Sequence, residues 1–358
     1  GDGRTSGSEL CDPIDPSNRS VCTADCKFIQ DQRSASGGGF SCFIGSDYNV
    51  YCVVSNARKE ILSPELDDEI VIVDPEITVP TRIELGAHRF VGVTAGRNHA
   101  CAITIDGLVS CWGDRTYGAV GQCDDQDIES SAAIFVQKQH NQNTFRLSDV
   151  RSIASHLNTT CAVNYNNEVY CWGQGVHGLR NQDAPAHCAT RTLQQHPHAV
   201  STLSLGAGYG CTRSADGEVA CWGLNQGIQL GRDTQETCTN QSDICSGNAL
   251  TVQIPASQHV VTGRAACALG VDDQRLRCWG PTSDLSLPAS MQSEEIRGRG
   301  LLPGLIDNIG PVTHFGLGHR HGCLVERDTG TLKCWGSNGS VWAGQTRATQ
   351  APVPSLLP

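Results

Sequence analysis

Three observations predict an all-β fold, a β-propeller of six blades with about four short antiparallel strands in each. A cysteine-flanked hairpin motif occurs six times. Trp-Gly closes five of the copies, through Trp112, Trp172, Trp222, Trp279 and Trp335, at intervals of 60, 50, 57 and 56 residues, the length of a propeller blade. No apolar stripe of helical period runs through the chain, which sets aside a helical solenoid. The composition agrees, since 39% apolar residues, 5% aromatic and 39 glycines in 358 residues suit many strands and turns.

In chain order, residues 1–30 hold Cys11, Cys22 and Cys26 among Asp, Ser, Gly and Pro without periodicity. They are expected to form a small cysteine-held leader or tether, and residues 31–358 the propeller. The first hairpin, CFIGSDYNVYC at 42–52, lacks Trp-Gly. The second, CAITIDGLVSCWG at 101–113, is the clearest: alternating apolar residues flank an Asp106–Gly107 turn. A loop at Ile105–Gly107 puts Cys101 opposite Cys111 on one face, where Cα atoms about 4.5 Å apart accept a disulfide. CAVNYNNEVYCWG at 161–173 and CTRSADGEVACWG at 211–223 keep the spacing of ten. In CALGVDDQRLRCWG at 267–280 and CLVERDTGTLKCWG at 323–336, cysteine spacing and turn both gain one residue.

Because spacing and loop length change together, six disulfides are predicted: Cys42–Cys52, Cys101–Cys111, Cys161–Cys171, Cys211–Cys221, Cys267–Cys278 and Cys323–Cys334. Cys238 and Cys245, seven apart in one connection, are expected to bond to each other. Cys123 and Cys188 follow successive Trp-Gly pairs and are the partners left. Nineteen cysteines without a C-x₂-C spacing point to an oxidising location, secreted or on the outer cell surface, rather than to zinc. A net charge of −11 argues against nucleic acid, and no apolar run is long enough to span a membrane.

Around the hairpins a longer pattern recurs, carried by Gly96, His99, Asp106, Gly107, Trp112 and Gly113 in one copy. Gly206, Asp216, Gly217, Trp222, Gly223, Asn225, Gly227, Leu230 and Gly231 carry it in another. This pattern resembles the repeat of the regulator of chromosome condensation family, in particular secreted bacterial variants whose cysteines flank the hairpin. The resemblance covers about residues 34–352 and implies a β-propeller. The best-known members have seven blades; six copies are present here, and no gap exceeds 60 residues. The tail PVPSLLP resembles the stretch preceding a new repeat and is expected to feed the first blade. The leader resembles GDG…ELCD modules of secreted bacterial proteins, in which a further cysteine precedes the GDG.

The Trp-Gly pairs read as blade packing. His99 and His321 stand two residues before a hairpin cysteine, where other repeats carry Phe40, Thr159, Tyr209 and Ala265, so structural hydrogen bonding is expected rather than catalysis. His319 with His321, and His196 with His198, have strand-like metal spacing but no carboxylate or cysteine beside them in sequence, and no metal is assigned. No nucleophile elbow, P-loop or HExxH motif occurs.

Charge is uneven only in two acidic runs, Glu65 to Glu69 with Asp74 and Glu76, and Asp124 to Glu129. They lie in the two longest inter-hairpin connections, of 49 and 50 residues. Asp67, Asp68, Asp125 and Asp127 are therefore expected to form an acidic partner-binding lobe on neighbouring blades. Calcium is the cation such carboxylates would take, although the spacing is not that of an EF-hand, and no other cofactor is implied.

The function expected is a non-enzymatic module, binding a protein or a surface glycan and tethered through its N-terminal segment. The alternatives are a secreted enzyme inhibitor, since a secreted β-lactamase inhibitor uses a similar propeller, and an enzyme with a loop-built site on one face. Nucleotide exchange and chromatin binding belong to the family's nuclear members, and the disulfides and acidic balance argue against both here.

Overall fold

Alternation along each hairpin sends neighbouring residues to opposite faces of a sheet, and this one fact arranges the core. The computed structural model describes residues 33–55, 76–123, 133–140, 143–174, 188–191, 196–197, 199–237, 243–282, 291–292, 294–296, 298–317, 321–336 and 349–354. Among the described residues every regular element but one short 3₁₀ turn is a strand, and the six main sheets are the blades of a six-bladed β-propeller.

Blade 1 consists of β1 (Ser34–Ser36), β2 (Phe40–Ile44), β3 (Val50–Ser55) and β4 (Glu76–Arg82). Blade 2 follows with β5 (Phe90–Ala95), β6 (His99–Thr104), β7 (Val109–Gly113) and β8 (Ile134–Phe135), and a separate ribbon, β9 (Gln137–His140) with β10 (Asn143–Arg146), leads onward. Blade 3 holds β11 (Val150–His156), β12 (Thr159–Asn164), β13 (Val169–Gly173) and β14 (Thr190–Arg191). Blade 4 holds β15 (Thr202–Leu205), β16 (Tyr209–Arg213), β17 (Val219–Leu224) and β18 (Cys245–Thr251). In blade 5, β19 (Ser257–Thr262), β20 (Ala266–Gly270) and β21 (Leu276–Gly280) are joined by β22 (Met291–Gln292), β23 (Glu295–Ile296) and β24 (Gly300–Ile306). Blade 6 is β25 (Val312–Leu317), β26 (His321–Glu326), β27 (Leu332–Gly336) and β28 (Thr349–Pro354). The chain divides into two compact units, 1–175 with 180–192 and 176–179 with 193–358, so each contains three blades.

The described part of the tail belongs to blade 6, not to the first blade. This part, β28, pairs with β27 (Cys334 opposite Val353) as the outer strand of blade 6, while blade 1 has its own first strand, with Ala35 opposite Cys42. Pro352 and Pro354 suit that outer position, where a missing N–H breaks no ladder on the solvent side. Residues 355–358 and the leader, with Cys11, Cys22 and Cys26, lie outside the described residues.

The core lies between blades. All six hairpin pairs are disulfides in register, with Cα atoms 4.0–4.1 Å apart. Within unit 1, the Cys42–Cys52 bridge joins the cluster containing Trp112, and Cys101–Cys111 joins the one containing Trp172. In unit 2, Cys211–Cys221 shares a cluster with Trp279, and Cys267–Cys278 with Trp335. Cysteine and tryptophan are adjacent in sequence and so face opposite ways. Within their units these four bridges present sulfur to the next blade, and Trp112, Trp172, Trp279 and Trp335 reach back to the previous one.

Candidate functional site

Hydrogen bonds stitch neighbouring blades at both ends of their inner strands. At the hairpin tips, Phe90 N–H donates to Tyr48 O (2.8 Å) and Val150 N–H to Gly107 O (2.9 Å) in unit 1. Ser257 N–H does the same to Gly217 O (2.8 Å), and Val312 N–H to Gln274 O (2.8 Å), in unit 2. At the opposite, Trp-Gly end, Gly38 N–H reaches Arg97 O (3.0 Å), Arg97 N–H reaches Leu157 O (2.7 Å), and Ala207 N–H reaches Gly263 O (2.9 Å). The glycine of the G-x-x-H motif makes this approach possible. A Cβ on Gly96 would sit 2.4 Å from Leu157 O, and one on Gly206 would sit 2.4 Å from Gly263 O.

His99 occupies the gap beside Gly96 and is 1% exposed. Its Nε2 shares a 2.8 Å hydrogen bond with Thr160 Oγ1, which is in turn 2.8 Å from Ser155 Oγ, on the next blade. Burial depresses its pKa to about 4, against a weaker upward pull from Asp114, so the ring is neutral near pH 7. Tyr209 fills the equivalent place in blade 4, fully buried. His321 is half-buried, and burial lowers its pKa as well. These side chains are structural wedges.

The tryptophans are equally committed. Trp112, Trp172, Trp222, Trp279 and Trp335 are all buried, at 0–1% exposure. Trp172 Nε1–H donates to Ala119 O (3.0 Å) and Trp279 Nε1–H to Gln229 O (2.9 Å), each carbonyl lying in the turn after the previous blade's Trp-Gly. The described hairpin bridges, tryptophans, His99 and Tyr209 are thus taken up in packing between blades.

Two of the inter-hairpin connections are the acidic ones. Asp67, Asp68, Asp125 and Asp127 lie outside the described residues, but the anchors of their segments are defined. Ser55 pairs with Glu76 across the first, and Cys123 closes the second segment's start through a disulfide to Cys188 and a hydrogen bond from its N–H to Gln137 Oε1 (3.1 Å). Both segments leave the Trp-Gly end of neighbouring blades. In unit 2 the comparable turn is braced by Arg299, which pairs with Asp233 (2.7 Å) and donates to Asn225 O and Gln226 O. Cys245 is disulfide-bonded; Cys238, His198 and His319 are outside the described residues. Among the described residues, no group of three or more His, Cys, Asp or Glu could hold a metal ion, and no helix is long and apolar enough to cross a membrane.

Sequence reasoning missed a set of arginines stacked on aromatic rings at the hairpin-tip end of unit 1. Arg89 lies over Tyr48 and Arg146 over Phe135. The partners are far apart in the chain, so no local motif announces them. The readable signal was Tyr48 itself, a bulky residue at a turn position that is glycine or asparagine in most repeats.

The family described as "Regulator of chromosome condensation (RCC1) repeat" matches residues 90–119, which span β5 to β7 and the turn after them. Protein pim1 of Schizosaccharomyces pombe is 24% identical over 347 residues, covering 90% of this chain and 62% of that protein. The E3 ubiquitin-protein ligase HERC2 of Homo sapiens is 22% identical over 215 residues, 60% of this chain and 4% of HERC2. The ultraviolet-B receptor UVR8 of Arabidopsis thaliana is 24% identical over 209 residues, 57% of this chain and 43% of UVR8. The chain thus spans less than two thirds of the length of these relatives. Among solved structures, human WBSCR16 superposes with a TM-score of 0.70 at 18% identity, covering 93% of this chain and 84% of that one. Prp20p from Saccharomyces cerevisiae gives 0.69 at 17% identity, covering 90% and 76%. One repeat of the chain, residues 90–119, thus matches the regulator of chromosome condensation family, and the chain as a whole has a β-propeller fold like that of Prp20p.

Proposed function

We propose that this propeller is an exported, non-enzymatic protein-binding module whose recognition surface is the pair of acidic connections at the Trp-Gly end of blades 1 and 2. The observation that carries the reading is their anchoring: both leave the same end of neighbouring blades, from hairpins closed by disulfides. The carboxylates these connections carry in sequence suit a basic protein or a cation-bridged surface, for which charge speeds encounter and salt screens it. Prp20p, solved in work on its binding to Gsp1p and histones, carries protein partners on the same fold.

The test is to neutralise Asp67, Asp68, Asp125 and Asp127 to Asn and compare capture from the native extracellular milieu. A basic partner should associate more slowly with the variant, with a flatter salt dependence and an unchanged melting curve. Equal capture by both proteins would place the site elsewhere. Export is tested separately: alkylating the unfolded, unreduced native protein should leave the twelve hairpin cysteines unlabelled.

A further inference from the structure

Blade 1 departs from the other blades at its hairpin turn. The turn residue with positive φ is Gly107, Asn167, Gly217, Gln274 and Gly330 in blades 2 to 6. In blade 1 it is Tyr48, at φ 63°, a backbone region that bulky side chains rarely adopt. The ring so displayed lies under the Arg89 guanidinium, 4.0 Å from its carbon, with Arg33 at 5.9 Å. His88, next to Arg89 in the chain, packs edge-on against Phe135 at 5.0 Å, and Arg146 covers that ring at 4.5 Å. These six residues make one strip across the hairpin-tip end of blades 1 and 2 up to the start of blade 3, bordered by Phe145, 50% exposed.

Arg89 and Arg146 are exposed and, among the described residues, make no ion pair. Two carboxylates of the neighbouring turns are engaged locally. Asp47 accepts hydrogen bonds from Tyr51 Oη (2.7 Å) and Asn49 Nδ2 (2.8 Å), and Asp149 accepts one from Ser148 Oγ (3.0 Å). A chain with net charge −11 thus places the Arg89 and Arg146 guanidiniums on one edge, at the end opposite the anchors of its acidic connections.

We propose that this strip is a docking surface for an acidic polypeptide segment. A guanidinium held flat on a ring keeps its N–H edge outward, the geometry that meets a carboxylate with two hydrogen bonds. The guanidiniums already cover the ring faces of Tyr48 and Phe135, so sugar rings have no platform there, whereas the exposed Phe145 takes an apolar side chain between acidic ones. The surface is separate from the acidic connections and does not depend on their role.

The probe is a short fluorescent peptide of repeated Glu-Glu-Leu, with Gln-Gln-Leu as control, titrated with the full disulfide-bonded chain by anisotropy at low and physiological salt. The acidic peptide should bind, and Arg89→Gln with Arg146→Gln should weaken it about tenfold and flatten its salt dependence. Tyr48→Gly supplies the discriminating result. Relief of the left-handed turn should offset the ring's lost packing on the core, so the variant should melt within a few degrees of the parent yet bind the peptide several-fold more weakly. A residue serving only the fold would do the reverse. Three outcomes overturn the proposal: equal peptide binding by parent and double variant, tighter binding of a polyglucuronate chain than of the peptide, or salt-sensitive self-association that the double variant abolishes. The second would assign the strip to a glycan and the third to another copy of this chain.

Discussion

Acid should loosen this protein through His99 before its carboxylates are protonated, and the size of the effect follows from the ring's position. The folded imidazole, buried beside Gly96 and sharing its Nε2 with Thr160, stays neutral down to about pH 4. In the unfolded chain it takes a proton near pH 6.5. Between those values the unfolded state holds more protons, so acidification favours unfolding; the contribution is whole above pH 6.5 and gone below about pH 4. A depression from 6.5 to about 4 corresponds to about 3 kcal/mol of stability. His259 and His321 are also lowered chiefly by burial and act with the same sign, so the parent's pH dependence alone does not isolate His99. His99→Phe does, since blade 1 already carries a buried phenylalanine, Phe40, at the equivalent position. Guanidinium unfolding with disulfides intact, followed by tryptophan fluorescence, should show the parent losing about 3 kcal/mol more than His99→Phe between neutral pH and pH 4. If the two lose the same amount, or if the His99 resonance titrates near 6.5, the account of a buried neutral wedge is wrong.

Four further outcomes follow from local packing and cross-linking. Gly96→Ala puts a Cβ 2.2 Å from the His99 ring and 2.4 Å from Leu157 O and should cost about 2–3 kcal/mol in thermal or chemical denaturation. Gly247→Ala, where nothing lies within 4 Å, should change stability by less than about 0.5 kcal/mol. Trp172→Phe strips the donor from Ala119 O and should cost about 1–3 kcal/mol more than Trp112→Phe, whose ring nitrogen is buried without a partner. Removing Cys123–Cys188, which closes 65 residues, should lower stability by about 4 kcal/mol on chain-entropy grounds, against about 3 for Cys101–Cys111. Unfolding midpoints of the double Cys→Ala variants measure the difference.

How much of this was legible in the sequence depended on distance along the chain. Cys101 faces Cys111 because a hairpin loop fixes register locally, so spacing alone specified the bridge. The roles of His99 and Trp172 were readable as structural because equivalent positions in other repeats vary or repeat in step. Their partners, Thr160 and the Ala119 carbonyl, were not readable, since each comes from a neighbouring blade 61 or 53 residues away. The tail was misassigned for a related reason. PVPSLLP resembles the start of a repeat, but its register with β27 is decided by pairing in space, and outer strands such as β28 and β14 have little pattern of their own. The arginine strip escaped for the same cause: Arg33, Arg89 and Arg146 converge only once blades 1 and 2 are stacked.

The locality of the bridges has a consequence for how the chain acquires them. Twelve hairpin cysteines could pair in about ten thousand ways, and a thiol searching at random would mostly scramble. Here each correct partner stands ten or eleven residues away across a turn that forms by itself. Closing so short a loop is favoured about tenfold or more over closing the 65 residues between Cys123 and Cys188. Oxidation can therefore run along the nascent polypeptide, hairpin after hairpin, each sealed before its neighbours exist. Among the bridges of the described residues, the long Cys123–Cys188 bridge must wait for folded blades, so it is the step at which an isomerase would be needed.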